Sequence, residues 1–148
     1  MSYRFHLGID LHKRFAYWVL LSEEKKVLWR GRVETSASAV RAALSRLPVV
    51  REETHAAIEP VTEWGWYADL LQTEGLKVRL VDVFRASITA KMRLKNDKVD
   101  ALVLAELLHA NYLPEAYLAP LETRDLREFM RNRIFLVRMR TQAKNRIH

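Results

Sequence analysis

The chain contains no cysteine in its 148 residues, which excludes a disulfide framework and any thiolate metal site, and points to a reducing, cytoplasmic setting. Glycine and proline are scarce, at four each, and there is no internal repeat or low-complexity linker. The one plausible connector is "NYLPEAYLAPLETRD", which holds two of the prolines. Long apolar runs are also missing. The opening "MSYRFHLGIDLHKRFAYWVLL" is interrupted by Arg4, Asp10, Lys13 and Arg14, which rules out a signal peptide and a membrane span there. What is left is the length of one ordinary domain, able to bury a core without staples.

Positive charge is plentiful: 25 Lys and Arg against 18 Asp and Glu leave a net +7, which suits a polyanionic partner. From Glu122 onward eight Lys/Arg face three acids, so this tail carries +5 of the excess. A second basic stretch runs from Lys77 to Lys98 and includes Lys91, Arg93 and Lys95.

"FHLGID", "FAYWVLL" and "KVLWRGRVE" read as three successive strands with short connections. "TSASAVRAALSRL" is a capped, Ala-rich helix closed by Pro48. "THAAIEP" is a strand stopped by Pro60, "TEWGWYADLLQTEG" a helix ending at Gly75, and "LKVRLVD" a further strand. Helices are expected from about Phe84 and from Asn96 or Asp97 to about His109. The order β1β2β3αβαβα predicts an α/β fold, a mixed sheet with helices on both faces, most like ribonuclease H, over residues 1–121. Residues 122–148 form a basic amphipathic helix with Leu126, Met130, Ile134 and Val137 on one stripe and Arg124, Arg127, Arg131 and Arg138 on another. No stop signal ends it. A longer protein, or a partner helix covering the stripe, is the expectation, with a homo-oligomer, dimer or higher, formed through this helix.

Four acids fall at element ends that a ribonuclease H arrangement would bring together. Asp10 ends the first strand and Glu59 the fourth, and those strands are neighbours in such a sheet. Asp97 and Asp100 open a helix whose same-face continuation is Ala101, Leu104, Leu107 and Leu108, so both aspartates face the sheet. Taken singly, Asp97 reads as an N-cap and Asp100 as a partner of the helix dipole. Taken together, crowded carboxylates call for a cation. Hard oxygen donors without thiolate fit Mg²⁺, with Mn²⁺ as a substitute, and paired ions of this kind serve phosphodiester cleavage. His12 and Lys13, close behind Asp10, read as a surface turn rather than as phosphate contacts. Trp64 and Trp66 read as core. His6, His55 and His109 are too scattered along the chain to suggest a metal site. Clustered arginines in the tail favour phosphate contact.

With these residues in view, "GIDLHK", "AAIEPVTEWGWYADLLQTEGLKVRLVD", "RLKNDKVDALVLAELL" and "RNRIFLVRMRTQAKNRIH" resemble the N-terminal part of DEDD transposases of the insertion sequence 110 family, across essentially the whole chain. The resemblance implies a RuvC-like, ribonuclease H-like catalytic domain whose acidic tetrad maps onto Asp10, Glu59, Asp97 and Asp100. Asn96 stands where the family usually has Thr. It also implies a Mg²⁺-dependent DNA recombinase guided by an element-encoded RNA; the two basic stretches themselves offer Lys91, Arg93, Lys95, Arg124, Arg127, Arg131 and Arg138 as candidate nucleic-acid contacts. Family members continue into a coiled coil and a domain with a catalytic serine, so this chain alone is expected to be incomplete for recombination. A Holliday-junction-resolvase-like nuclease and a noncatalytic nucleic-acid-binding and dimerisation module are the alternatives. An actin or sugar-kinase phosphate loop needs a glycine soon after the aspartate, where this chain has His12 and Lys13.

Overall fold

The computed structural model describes residues 3–61, 64–82, 85 and 97–147, the last segment with side chains from Asp100 onward. The helix expected from Phe84 lies outside the described residues. The chain divides into two units, Met1–Ala116 and Tyr117–His148.

In the first unit, β1 (Phe5–Leu11), β2 (Phe15–Ser22) and β3 (Val27–Glu34) form an antiparallel meander. A register shift interrupts the β2–β3 ladder between Leu20 and Leu21. Helix α1 (Ala37–Arg46) starts at Ser36, whose side chain accepts the Ala39 N–H, a standard N-cap. A single 3₁₀ turn (Arg51–Glu53) leads into β4 (Thr54–Ile58), then α2 (Trp64–Thr73) and β5 (Lys77–Val81). Gly75, at φ 96°, closes the turn after α2, a conformation that suits a residue without Cβ. The last helix of this unit is α3 (Asp97–His109). With a last strand, β6 (Glu115–Ala116), the sheet order is β3-β2-β1-β4-β5-β6, with β4 and β5 parallel to β1. β1 and β4 are therefore neighbours, as expected, and the architecture is the ribonuclease H-like α/β fold.

Two features depart from the sequence expectation. The connector "NYLPEAYLAPLETRD" contributes a two-residue strand, β6 (Glu115–Ala116), antiparallel to β5. Two residues carry no periodicity, and only the Leu80–Ala116 and Val81–Glu115 pairing defines them. Trp64 and Trp66 are not core: Trp64 is half-buried and Trp66 exposed. The buried residues of α2 are Tyr67, Ala68, Leu70 and Leu71, and Trp66 lies about 100° around the helix from Tyr67.

Strand alternation sorts the sheet into two faces. Leu7, Ile9, Trp18 and Leu20 are fully buried on one face, where Trp18 Nε1–H donates to Tyr67 Oη of α2 at 2.9 Å. Burial pushes the Tyr67 hydroxyl's pKa up, so it stays a neutral partner. His6, Gly8 and Asp10 of β1 alternate onto the other face, with Val19 and Leu21 of β2 and His55 and Ala57 of β4. Helix α3 covers that face: Ala101 and Ala105 pack with Val19 and Leu21, and Leu104 and Leu108 with Ala57 and Val81.

The approach of α3 is unusually close. A Cβ placed on Gly8 would lie 1.9 Å from the Ala101 carbonyl oxygen and 2.7 Å from the Ala105 nitrogen. Only glycine permits that approach, since the obstruction is helix backbone and cannot turn aside.

At the far end of the same face, three histidines that are distant in sequence meet. His6 and His55 are register partners on β1 and β4, and their Nδ1 and Nε2 atoms share a short hydrogen bond. The His109 ring at the end of α3 meets His6 edge to face at 4.8 Å, and its Nε2–H donates to the Glu23 carbonyl at 2.6 Å. Tyr3 stacks on His55 at 4.7 Å. His6 Nε2, His55 Nδ1 and His109 Nδ1 are buried without a hydrogen-bond partner. Burial first, and the neighbouring imidazoles second, lower the His6 pKa to about 4 and the His55 pKa to about 3, with Arg79 adding to the shift of His55.

Two expectations follow. Gly8→Ala should reduce the unfolding free energy by about 2 kcal/mol or more, the range of overpacking, and Tm by roughly 5–10 °C. Gly31→Ala, where the new methyl meets the Trp29 ring on an edge strand, should cost under about 1 kcal/mol; equal losses in thermal unfolding would contradict the helix-contact account. The histidines set a pH dependence. Their folded pKa values lie below the unfolded 6.5, so the unfolded chain gains protons first, and stability present above pH 6.5 falls as the pH drops toward 4. Between pH 7 and 5.5 the loss from the two groups is roughly 2 kcal/mol. Urea unfolding of His6→Gln/His55→Gln, compared with wild type at both pH values, should show a much smaller loss.

The second unit contains α4 (Leu121–Ile147), none of whose residues is buried. Leu126, Met130, Ile134 and Val137 are 39–62% exposed, so nothing within this unit covers the apolar stripe read from the sequence. The Arg124 guanidinium donates from Nε to the Ala119 carbonyl at 3.0 Å and is half-buried, while Arg127, Arg131 and Arg138 are exposed.

Candidate active site

The acidic edge of the sheet is built by register. Ile9 pairs with Ile58 in the parallel β1–β4 ladder, so Glu59, one residue beyond β4, follows Asp10 at the same level. Strand alternation gives Asp10 the face on which α3 lies, and Glu59 leaves the end of the neighbouring strand. Helix α3 runs against the direction of β1: its last residue, His109, meets His6, and Ala105 and Ala101 meet Gly8. Its first turn, with Asp97 and Asp100, therefore heads toward the end of β1 that carries Asp10.

Asp10 is buried, at 6% exposure, and a carboxylate so enclosed requires hydrogen-bonding partners. His12 provides one: its Nε2 lies 2.9 Å from Asp10 Oδ2. The turn holding His12 is fastened by three bonds, from His12 N–H to the Phe15 carbonyl at 2.8 Å, from Thr35 N–H to the Arg14 carbonyl at 3.1 Å and from Thr35 Oγ1 to the His12 carbonyl at 3.0 Å. A residue read from sequence as part of a surface turn thus orients the most buried of the three candidate acids whose side chains are described. Glu59 and Asp100 are half-buried. The Asp97 side chain, and Lys91, Arg93 and Lys95, lie outside the described residues.

The donor chemistry fits a hard divalent cation: carboxylate oxygens, no thiolate, and one acid already buried. Among the described residues, no three His, Asp or Glu side chains stand together closely enough to hold a metal ion. That holds for the histidine cluster as well, where His6 Nδ1 is engaged by His55 and the rings meet edge to face. Sequence distance hid this cluster. Its signal was nonetheless present, because "HLGID" and "HAAIE" both place a histidine four residues before an acid, and strand alternation keeps the pair on one face in each.

Among the described residues, no helix is long and apolar enough to cross a membrane. No curated protein matches the chain. The model of the DEDD transposases of the insertion sequence 110 family, described as "Transposase", matches residues 7–148, and the chain belongs to that family of enzymes.

Proposed function

We propose that this cytoplasmic protein is the catalytic part of a transposase that cleaves and transfers DNA strands with Mg²⁺, or Mn²⁺ in its place, held by Asp10, Glu59, Asp97 and Asp100, and guided by an RNA that the element encodes. The observation that carries the proposal is the shared edge: parallel β1 and β4 in register at Ile9 and Ile58, with α3 antiparallel to β1 across the face of Asp10. Bound there, the cation would activate an attacking oxygen and stabilise the leaving one. The chain supplies the placement. β1 and β4 fix two acids on a rigid sheet, Gly8 lets α3 bring its first turn alongside, and His12 holds the Asp10 carboxylate in one orientation. Residues 1–121 are the catalytic domain, and 122–148 begin a coiled-coil segment through which copies associate. Arg127, Arg131 and Arg138, exposed on α4, offer phosphate contacts.

Thermal melts in EDTA and in Mg²⁺ test the acids. At about 10 mM Mg²⁺ and a dissociation constant near 1 mM, wild type should gain about 1.4 kcal/mol, while Asp10→Asn and Asp100→Asn gain nothing. Asp100→Asn should melt in EDTA no lower than wild type, because a repelling charge has gone. A wild type indifferent to Mg²⁺ would contradict the proposal. Self-association is tested separately: sedimentation equilibrium should show a dimer or larger species for the intact chain, and a monomer for Met130→Glu/Ile134→Glu.

A further inference from the structure

A continuous line of contacts leads away from Asp10 toward the β3 edge of the sheet. The His12 imidazole bonds Asp10 at 2.9 Å, its ring meets the Phe15 ring at 4.8 Å between centroids, and the Arg32 guanidinium lies over the Phe15 ring, 3.7 Å from its centroid. The register supports the same line, since Asp10 pairs with Tyr17 and Tyr17 with Arg32, giving one row across three strands on the face of α3. Arg32 leans from its own row toward Phe15, the first residue of β2, and hence toward the acidic edge. Lys13 and Arg14 are exposed in the adjoining turn. Among the described residues, Lys13, Arg14 and Arg32 form no ion pair. Glu34, the register partner of Phe15, is the acid nearest them in the ladder.

Such an arrangement has little structural purpose of its own. An exposed guanidinium gains about 0.5–1 kcal/mol from an aromatic face, and a bare row of cations at a surface gains nothing from its neighbours. Stacking does hold the planar donors of Arg32 in one orientation, with edges open to an acceptor. A fixed fork of donors, two flexible cations and a half-buried aromatic ring match the alternating phosphates and bases of a nucleic-acid strand.

We propose that the His12–Phe15–Arg32 ridge, with Lys13 and Arg14 at its end, seats the DNA strand flanking the phosphodiester that the acidic residues cut. This rests on the nuclease reading of Asp10. Arg32 takes a phosphate next to the cut, Lys13 and Arg14 take further ones, and Phe15 holds the guanidinium flat beneath the strand. His12 joins the two tasks, because the same ring orients Asp10 and continues the ridge.

Binding of a labelled DNA strand, followed by fluorescence anisotropy in EDTA across a salt series, isolates the ridge from any metal. Arg32→Gln should weaken binding about tenfold, as expected for loss of a charge-assisted hydrogen bond, and lower the log K against log salt slope by about 0.7 on single strands. Lys13→Gln/Arg14→Gln should lower the slope by about twice that. Arg32→Lys keeps the charge but not the planar stack, so it should restore the slope and only part of the affinity. Arg46→Gln, an exposed arginine at the end of α1, should bind DNA as the wild type does. If Arg32→Gln and Lys13→Gln/Arg14→Gln match Arg46→Gln in affinity and slope, the ridge is overturned. A loss seen only with an RNA strand of the same sequence overturns it too. Mg²⁺ melts of Arg32→Gln separate the two proposals: a wild-type Mg²⁺ gain with unchanged DNA binding rejects the ridge alone, and no gain in wild type rejects the acidic site.

Discussion

Everything on the acidic face depends on a missing side chain. Because Gly8 presents only backbone, the carbonyl of Ala101 and the nitrogen of Ala105 can lie against β1 at a separation that any Cβ would occupy. That contact sets both the height of α3 above the sheet and its position along β1. Alanine at 101 and 105 on the helix completes it, since both are fully buried and small enough to share the space with Val19 and Leu21. A helix held this close transmits its placement directly: the position of its first turn is decided by packing one and two turns later.

The two ends of that face then divide the chemistry. At the start of β1 and β4, His6 and His55 are buried and bonded to each other, and the His109 ring at the end of α3 meets His6. At the other end, Asp10 is the last residue but one of β1 and Glu59 follows directly on β4. Burial at the histidine end favours the uncharged imidazoles and lowers the pKa values of His6 and His55, which leaves a neutral anchor at the end of the face opposite Asp10.

Much of this was legible in the sequence, for reasons that can be given residue by residue. The strands are short, rich in aromatic and β-branched residues and bounded by polar turns. Ser36 and Gly75 mark helix ends through capping and a positive φ. The Asp97–His109 helix was readable because Ala101, Leu104 and Leu108 recur on one face, and they are buried as that spacing requires. Residue-by-residue register was not readable. That β1 and β4 are neighbours is expected from the sequence, but the meeting of His6, His55 and His109 depends on the exact pairing, and the pairing of Glu115 with Val81 on a strand too short to show a pattern. The tryptophans misled for a different reason: size favours burial on average, but helical phase decides it locally, and in α2 the phase belongs to Tyr67. His12 does lie in a surface turn, as its sequence reads, but proximity along a chain does not reveal its hydrogen bond back to Asp10.

The two borders of the sheet carry a consequence of their own. An open strand invites a strand from another molecule to add to it, and repeated addition leads to aggregation. Here one border, β6, is only two residues long, too short to template a foreign strand. The other, β3, is eight residues long, but its ladder to β2 is interrupted between Leu20 and Leu21, and Arg30 and Arg32 project from it. A second copy docking strand to strand would have to match that interruption and bring its own arginines against these. Sideways growth of the sheet is thereby discouraged, which lets a protein with so much apolar surface on α4 keep its β-structure out of assembly.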